Sequence, residues 1–352
     1  MRTGICDLPL HSGRAPRWLF ERMAKLSREI FASVVEFYGP EEFLDRLADP
    51  IWFQALGCVL GFDWHSSGLT TTTGGALKLA INPIGHHYGI WVCGGKGATS
   101  RKTPEEIGNF AERIGITPEP LIRASRLSAK VDNTALQDGY QLYHHIFIFS
   151  KDGNWAVIQQ GMNPYDHYAR RYHWRSRIKS FTSDPHQGIV GRKESGVLNL
   201  VDGRIEGTRR DIVTITRERP ERLLKEIRHL RFPSHHPVGN FAINRRYLRK
   251  VIIRIREHNP ADFETLLLTR GLGPKSLRAF ALLANLICGS RLSYTDPVTF
   301  SFAHGGKDGH PFPVERGIYD QSIRFLAEII HKARINSNEK DRLYQVLQRL
   351  SS

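Results

Sequence analysis

Cysteine is scarce in this chain. Four occur in 352 residues, at positions 6, 58, 93 and 288, and no two form a Cys-x-x-Cys pair. That spacing argues against a thiolate zinc site and leaves three or four of the cysteines as small buried apolar residues. Long hydrophobic runs are lacking too. No stretch approaches the roughly 20 apolar residues of a membrane span, and the opening residues Met1–Asp7 hold no apolar signal-peptide core. A cytoplasmic protein with no membrane partner is the expectation. The phosphate-binding pattern Gly-x-x-x-x-Gly-Lys-Ser/Thr is absent, as is the His-Glu-x-x-His pattern of zinc proteases.

Acidic charge is in short supply. Lysine and arginine number 50 against 35 aspartates and glutamates, a formal net charge of +15. The excess is uneven: residues 168–260 hold 22 lysines and arginines against 9 acids. A surface that needs only solubility mixes its signs. A basic field attracts phosphate backbones and makes binding salt-dependent, so DNA is the expected partner.

The length points to two domains. The first 60 residues read as helices, with a second helix starting near Pro40-Glu41-Glu42 and Ile51–Leu60 apolar all round. Leu69–Gly75 is a β-branched run closed by glycines. Tyr88–Cys93 reads as a buried strand, Gly94-Gly95-Lys96-Gly97 as a loop or anion-binding nest, and Thr103-Pro104-Glu105-Glu106 as a helix start. Tyr140–Phe149, the turn Lys151–Asn154 and Trp155–Gln160 form a hairpin. A second strand pair is expected at Gly196–Val201 and Arg210–Thr216. Phe232–Gly239 breaks the pattern and sets the domain boundary. Beyond it the chain reads helical to its end.

Within that last part, Phe263–Thr269, the turn Gly271-Leu272-Gly273 and the run Pro274-Lys275-Ser276 to Cys288 read as a helix-hairpin-helix element. Glycines permit positive φ and close backbone approach. Proline suits the first helical position, and free amides at a helix start favour an anion. Gly271, Gly273 and Lys275 are therefore expected to grip a nucleic-acid backbone without reading bases. The same residues resemble those of helix-hairpin-helix DNA glycosylases, where a lysine near this place attacks the sugar and an aspartate follows about twenty residues later. Lys275 and Asp296 have that spacing, but Tyr294-Thr295-Asp296-Pro297 lacks the family's context.

Residues 125–175 concentrate polar groups suited to chemistry. Alternation puts His144 and His145 on opposite faces of a strand. Asp132 and Asp138 before the hairpin and Gln160 in its second strand loosely echo a metal-dependent nuclease. In such a site carboxylates hold Mg²⁺ or Mn²⁺ and the metal activates water. Lys130 stands in for the missing lysine two positions after Gln160, and His145 is the candidate acid or base. Arg170, Arg171, Tyr172 and Trp174 combine phosphate-pairing guanidinium groups with rings able to stack on bases.

Long segments also resemble a prokaryotic family, domain of unknown function 763. They include Asp7-Leu8-Pro9-Leu10-His11, Trp52–Gly57, Phe62–Gly68, Gly94–Gly97, Ala129–Asn133, Gln137–His145, Gln159–Asn163 and Ala169–Trp174. The resemblance spans nearly the whole chain and carries over no catalytic residue.

The sequence thus leads to an α+β protein. Residues 1–232 form a mixed α/β domain, the candidate catalytic one, and 233–352 an all-α domain with the hairpin. The expected function is DNA binding with phosphodiester cleavage, the catalytic residues being Lys130, Asp132, Asp138, His145 and Gln160, with Asp132 and Asp138 on the metal. A non-catalytic DNA-binding or repair-accessory protein is the second reading and an enzyme acting on a small molecule the third, with a helix-hairpin-helix glycosylase less favoured. Nothing in the sequence sets the oligomeric state.

Overall fold

The computed structural model describes residues 15–62, 67–227, 245–299, 316–333 and 335–351. The expected breaker at 232–239, the Asp7–His11 segment and Asp63–Ser66 of a family-like segment lie outside them.

The chain opens with α1 (Arg17–Ala48), α2 (Pro50–Val59), α3 (Ser67–Ile81) and the short α4 (Gly85–Tyr88), then β1 (Ile90–Lys96). Next come α5 (Thr103–Ile114), α6 (Glu119–Lys130), one π-helical turn (Val131–Ala135), β2 (Leu136–Gln137), β3 (Gln141–Ser150), β4 (Trp155–Met162), β5 (Ala169–Arg175), β6 (Gly188–Val190) and β7 (Leu198–Asn199). Helices α7 (Glu206–Thr216), α8 (Pro220–Ile227), α9 (Arg245–His258), α10 (Phe263–Leu267), α11 (Pro274–Cys288), α12 (Arg316–Lys332) and α13 (Ser337–Ser351) follow. The protein is α+β, mostly helical, around one five-stranded antiparallel sheet of order β1-β3-β4-β5-β6, with a two-stranded ribbon β2-β7 beside it. Among the described residues no helix is long and apolar enough to cross a membrane.

Local chemistry explains most boundaries. Gly39 sits at φ 84° ahead of Pro40 and breaks α1 where the sequence places a second helix. All ten residues of α2 are buried, as its all-round apolar pattern requires, and the Asp49 carboxylate caps its first turn by accepting from the amides of Ile51 and Trp52. The Lys151–Asn154 turn closes the β3–β4 hairpin as expected.

A β-branched run and an expected strand are both helical. The β-branched run Leu69–Gly75 lies in α3, where tertiary packing overrides intrinsic preference. There Thr71 Oγ1 donates to the Gly68 carbonyl and Thr70 accepts from Arg171. A Cβ on Gly74 would fall 2.0 Å from Ile146 Cδ1, so the helix rests directly on the sheet at that glycine. Arg210–Thr216 is helix α7, not a strand, and β7 pairs with β2 instead.

Both sheet faces are covered, so β5 is buried along its whole length, β4 at every residue but Met162, and β3 from His144 to Ser150. Trp91, Cys93, Phe147, Phe149, Val157, Tyr172 and Trp174 point into one core, and Ile90, Val92, Ile146, Ile148, Ala156 and Ile158 into the other. Residues on both sides of the expected 232/233 boundary share these cores. Leu248 and Val251 of α9, Leu266 of α10 and Phe280 of α11 join the first, while Leu326 and Ile329 of α12 join the second with α1–α3. The C-terminal helices therefore pack as part of the sheet's two cores.

The outer edge of β1 is occupied by side chains. Asn82 accepts from the Val92 amide and donates to its carbonyl, at 2.8 and 2.9 Å. Two residues on, Glu106 accepts from the Gly94 amide and Lys78 donates to the Gly94 carbonyl. Gly94, Gly95 and Lys96, expected as a loop or anion nest, are the paired end of β1, and the Glu106 carboxylate occupies the Gly94 amide.

Candidate functional site

Strand β5 sends Arg170, Tyr172 and Trp174 to one face and Arg171, His173 and Arg175 to the other, as a period of two dictates. On the first face two carboxylates organise everything. Asp132, on the π-helical turn, accepts from Gln159 Nε2 at 2.5 Å, Trp174 Nε1 at 2.9 Å and His186 Nε2 at 2.5 Å. Asp138 accepts from the Tyr140 amide, the Tyr172 hydroxyl at 2.7 Å and Arg170 at 3.0 Å. Arg170 Nη1 is shared with Asp296, which it and Nη2 hold in a two-pronged pair at 3.1 and 2.8 Å.

Hydrogen-bond direction can be followed along this face. Gln159 gives its amide hydrogen to Asp132, so its oxygen accepts from His145 Nδ1 at 2.7 Å. The remaining nitrogen, His145 Nε2, then accepts from the Ser125 hydroxyl at 2.9 Å. His145 is held neutral in one tautomer, and burial pushes its pKa down to about 4. Burial raises Asp132, against the pull of His186, and pushes Asp138 up to about 6, against the pull of Arg170. Burial works against the Arg170 charge as well, but Asp138 and Asp296 outweigh it and raise its pKa.

The second face carries a different set. Arg171 donates to Gln54 and Thr70 and, through Nε, to His173 Nε2, so His173 Nδ1 donates to the Leu47 carbonyl. Gln160 donates to the Ser67 carbonyl and the Tyr143 hydroxyl. His144, opposite Gln160 in the register, has no hydrogen-bond partner on either ring nitrogen, and burial pushes its pKa down to about 3.

The turn between α10 and α11 has its carbonyls tied from three directions. Tyr247 of α9 donates to Gly271 at 2.8 Å, Lys130 to Leu272 at 2.6 Å and Gln137 to Pro274 at 2.9 Å. Gly271 needs to be glycine: its φ is 90°, and a Cβ would fall 2.8 Å from Arg254 Nη1. Gly273 is extended and a Cβ there would meet nothing within 4 Å, so its backbone conformation does not require glycine. Pro274 and Lys275 are exposed at the start of α11.

The five expected catalytic residues therefore divide three ways. Asp132, Asp138 and His145 share one sheet face, Gln160 points to the other, and Lys130 reaches the α10–α11 turn. Both oxygens of Asp132 and of Asp138 already accept from protein donors. Among the described residues no group of three or more His, Cys, Asp or Glu side chains is placed to hold a metal ion. Arg170, Arg171, Tyr172 and Trp174, expected to meet nucleic acid, are each 0% exposed. Their aromatic and guanidinium groups serve packing and internal hydrogen bonding, and the alternation of β5 puts the two arginines on opposite faces. Lys275 and Asp296 are likewise separated in role, Lys275 exposed and Asp296 buried on Arg170.

Sequence reasoning missed His186, Ser125 and Asp296 as members of the network. All three are distant in sequence from the groups they bond; no local spacing marks His186 or Ser125, and the spacing that marked Asp296 pointed to Lys275 and not to Arg170.

The fold and site define a mixed α+β protein with a polar network sealed inside its sheet and a basic helical layer on one side. The family model described as Protein of unknown function (DUF763) matches residues 4–314, and the chain belongs to that family. No curated protein and no solved structure matches it.

Proposed function

We propose that this protein binds the phosphate backbone of DNA through a basic surface formed by α9 and a helix-hairpin-helix element comprising α10, the Gly271–Gly273 turn and α11. One observation carries the reading: the Tyr247 hydroxyl on α9 bonds the Gly271 carbonyl, which puts the basic helix and the turn on one surface. Helix α9 holds six lysines and arginines against one glutamate. Arg246, Arg249, Lys250, Arg254 and Arg256 are exposed, as are Arg270 and Lys275 at the turn. These groups can meet phosphates without opening the core, which the buried arginines of β5 cannot. The first amides of α11 lack helical acceptors and favour an anion there.

Binding without cleavage fits the sealed carboxylates better than a metal-dependent nuclease does. The test is fluorescence anisotropy with labelled single-stranded and duplex DNA over a salt series, with Mg²⁺, Mn²⁺ or EDTA present. Each phosphate contact contributes about 0.9 to the slope of log affinity against log salt on duplex DNA. Replacing Arg246, Arg249 and Lys250 together by serine is expected to reduce that slope by about 2 to 3. No affinity for any DNA at about 50 mM salt sinks the proposal, given how large the phosphate contribution is there. Metal-dependent strand scission replaces it with the nuclease reading.

A further inference from the structure

Arg278 lies one turn into α11 and is 5% exposed. Its Nε donates to Gln137 Oε1 at 2.8 Å, while its Nη2 is buried with no hydrogen-bond partner. Among the described residues it forms no ion pair. The other buried arginines are treated differently. Arg170 also has a buried nitrogen without a partner, Nε, but two carboxylates, Asp138 and Asp296, neutralise it; Arg175 has Glu41 and Asp45, Arg171 has acceptors for all its nitrogens, and Arg209 donates to two carbonyls. A buried cation with neither a carboxylate nor a full set of acceptors is costly unless something else neutralises it. Burial pushes its pKa down to about 10, so the charge persists at neutral pH.

Its position says what that counter-charge is. Gln137, the partner of Arg278, also donates to the Pro274 carbonyl, linking the guanidinium to the residue that opens α11. Helical side chains lean toward the N-terminus, where the first amides lack helical acceptors. The space beside Gly273 is open. A guanidinium, helix-start amides and an open approach suit a tetrahedral oxyanion, which can accept two parallel bonds from arginine.

We infer that Arg278 is the counter-cation of a phosphate group bound at the start of α11. The inference rests on the proposed function for the source of that group, a backbone phosphodiester of DNA.

The test uses the full chain, its R278Q and R278K variants, inorganic phosphate and a labelled duplex. Phosphate is expected to raise the wild-type unfolding temperature and to leave that of R278Q unmoved. Without phosphate, R278Q is expected to unfold at or above the wild-type temperature, because an uncompensated cation has gone. A lower unfolding temperature in R278Q together with an undiminished phosphate shift makes Arg278 structural and overturns the inference. R278K keeps the charge and loses the two-pronged geometry. It is expected to need several-fold more phosphate for the same shift, and an unchanged requirement overturns the inference even where R278Q fails to fold. On duplex DNA the salt slope of R278K is expected to keep the ionic contribution while affinity drops. R278Q is expected to lose about 0.9 of that slope. If R278Q binds DNA with wild-type slope and affinity, the inference falls and the proposed function stands. If the wild type binds no DNA but its phosphate shift depends on Arg278, the proposed function falls and the anion site stands.

Discussion

The Lys130 ammonium donates to the Leu272 carbonyl at 2.6 Å, joining the end of α6 to the turn before α11. Burial lowers its pKa, and the bond is what it receives in return for leaving water. A lysine read from sequence as a catalytic group of a nuclease site thus holds a backbone turn in place.

Replacing Lys130 by Met keeps the aliphatic stem and removes the donor. The Leu272 carbonyl then loses a partner, and the cost expected is about 1 to 3 kcal/mol of stability. Urea unfolding measures it. DNA affinity is expected to fall as well, because the turn is no longer fixed. Unchanged stability and affinity together would remove Lys130 from any positioning role.

Gly271→Ala places a Cβ at positive φ and against Arg254. Strain of about 1 to 2 kcal/mol is expected from the left-handed backbone alone. Gly273→Ala, in extended backbone beside open space, is expected to cost less than half as much. Comparing the two variants by thermal unfolding checks the assignment, and equal losses would contradict it.

Asp138→Asn leaves Arg170 buried with Asp296 as its one carboxylate partner. Breaking one side of a buried pair costs about 3 to 5 kcal/mol, so a large drop in unfolding free energy is expected. DNA affinity, measured where the variant remains folded, should hold within about 2-fold, since no phosphate contact is removed. A stable variant with lost DNA affinity would return this carboxylate to a functional role.

Acid should unfold the protein partly through its histidines. His144 and His145 have folded pKa values of about 3 and about 4. Both lie below the unfolded value of about 6.5. The unfolded chain therefore binds protons first, and stability is lost as pH falls from about 6.5 towards 4, on the order of 3 kcal/mol for each histidine. Asp138, raised to about 6, acts in the opposite direction over the same range, because the folded state takes up its proton first. The contribution of one histidine is isolated by His144→Leu, which removes two buried nitrogens that have no partners. Its stability at pH 7 should match or exceed the wild type, and its decline towards pH 4 should be shallower. A parallel pH profile would show that His144 does not titrate on unfolding.

The hairpin, the buried α2 and the paired faces of His144 and His145 were legible in the sequence, because period-two alternation and all-round hydrophobicity are local signals. The roles of the polar residues were not. Arginine beside tyrosine and tryptophan in β5 looks the same in sequence whether it faces phosphates or a core. What decides is whether carboxylates arrive from elsewhere, and Asp138, Asp296 and the α1 pair Glu41 and Asp45 come from three separate segments. The threonine run in α3 was obscure for a related reason: its helix is stabilised by packing on the sheet, which no local preference reveals.

The side chains along β1 have a consequence for the molecule as a whole. An exposed strand edge offers unpaired amides and carbonyls to any other extended chain, and so invites edge-to-edge association. Here Asn82 meets the Val92 backbone as a neighbouring strand would, and Glu106 with Lys78 does the same at Gly94. The place of a sixth strand is filled by three side chains. Along this side the sheet is closed to growth, and neither a second copy nor a stray peptide can extend it without first displacing them.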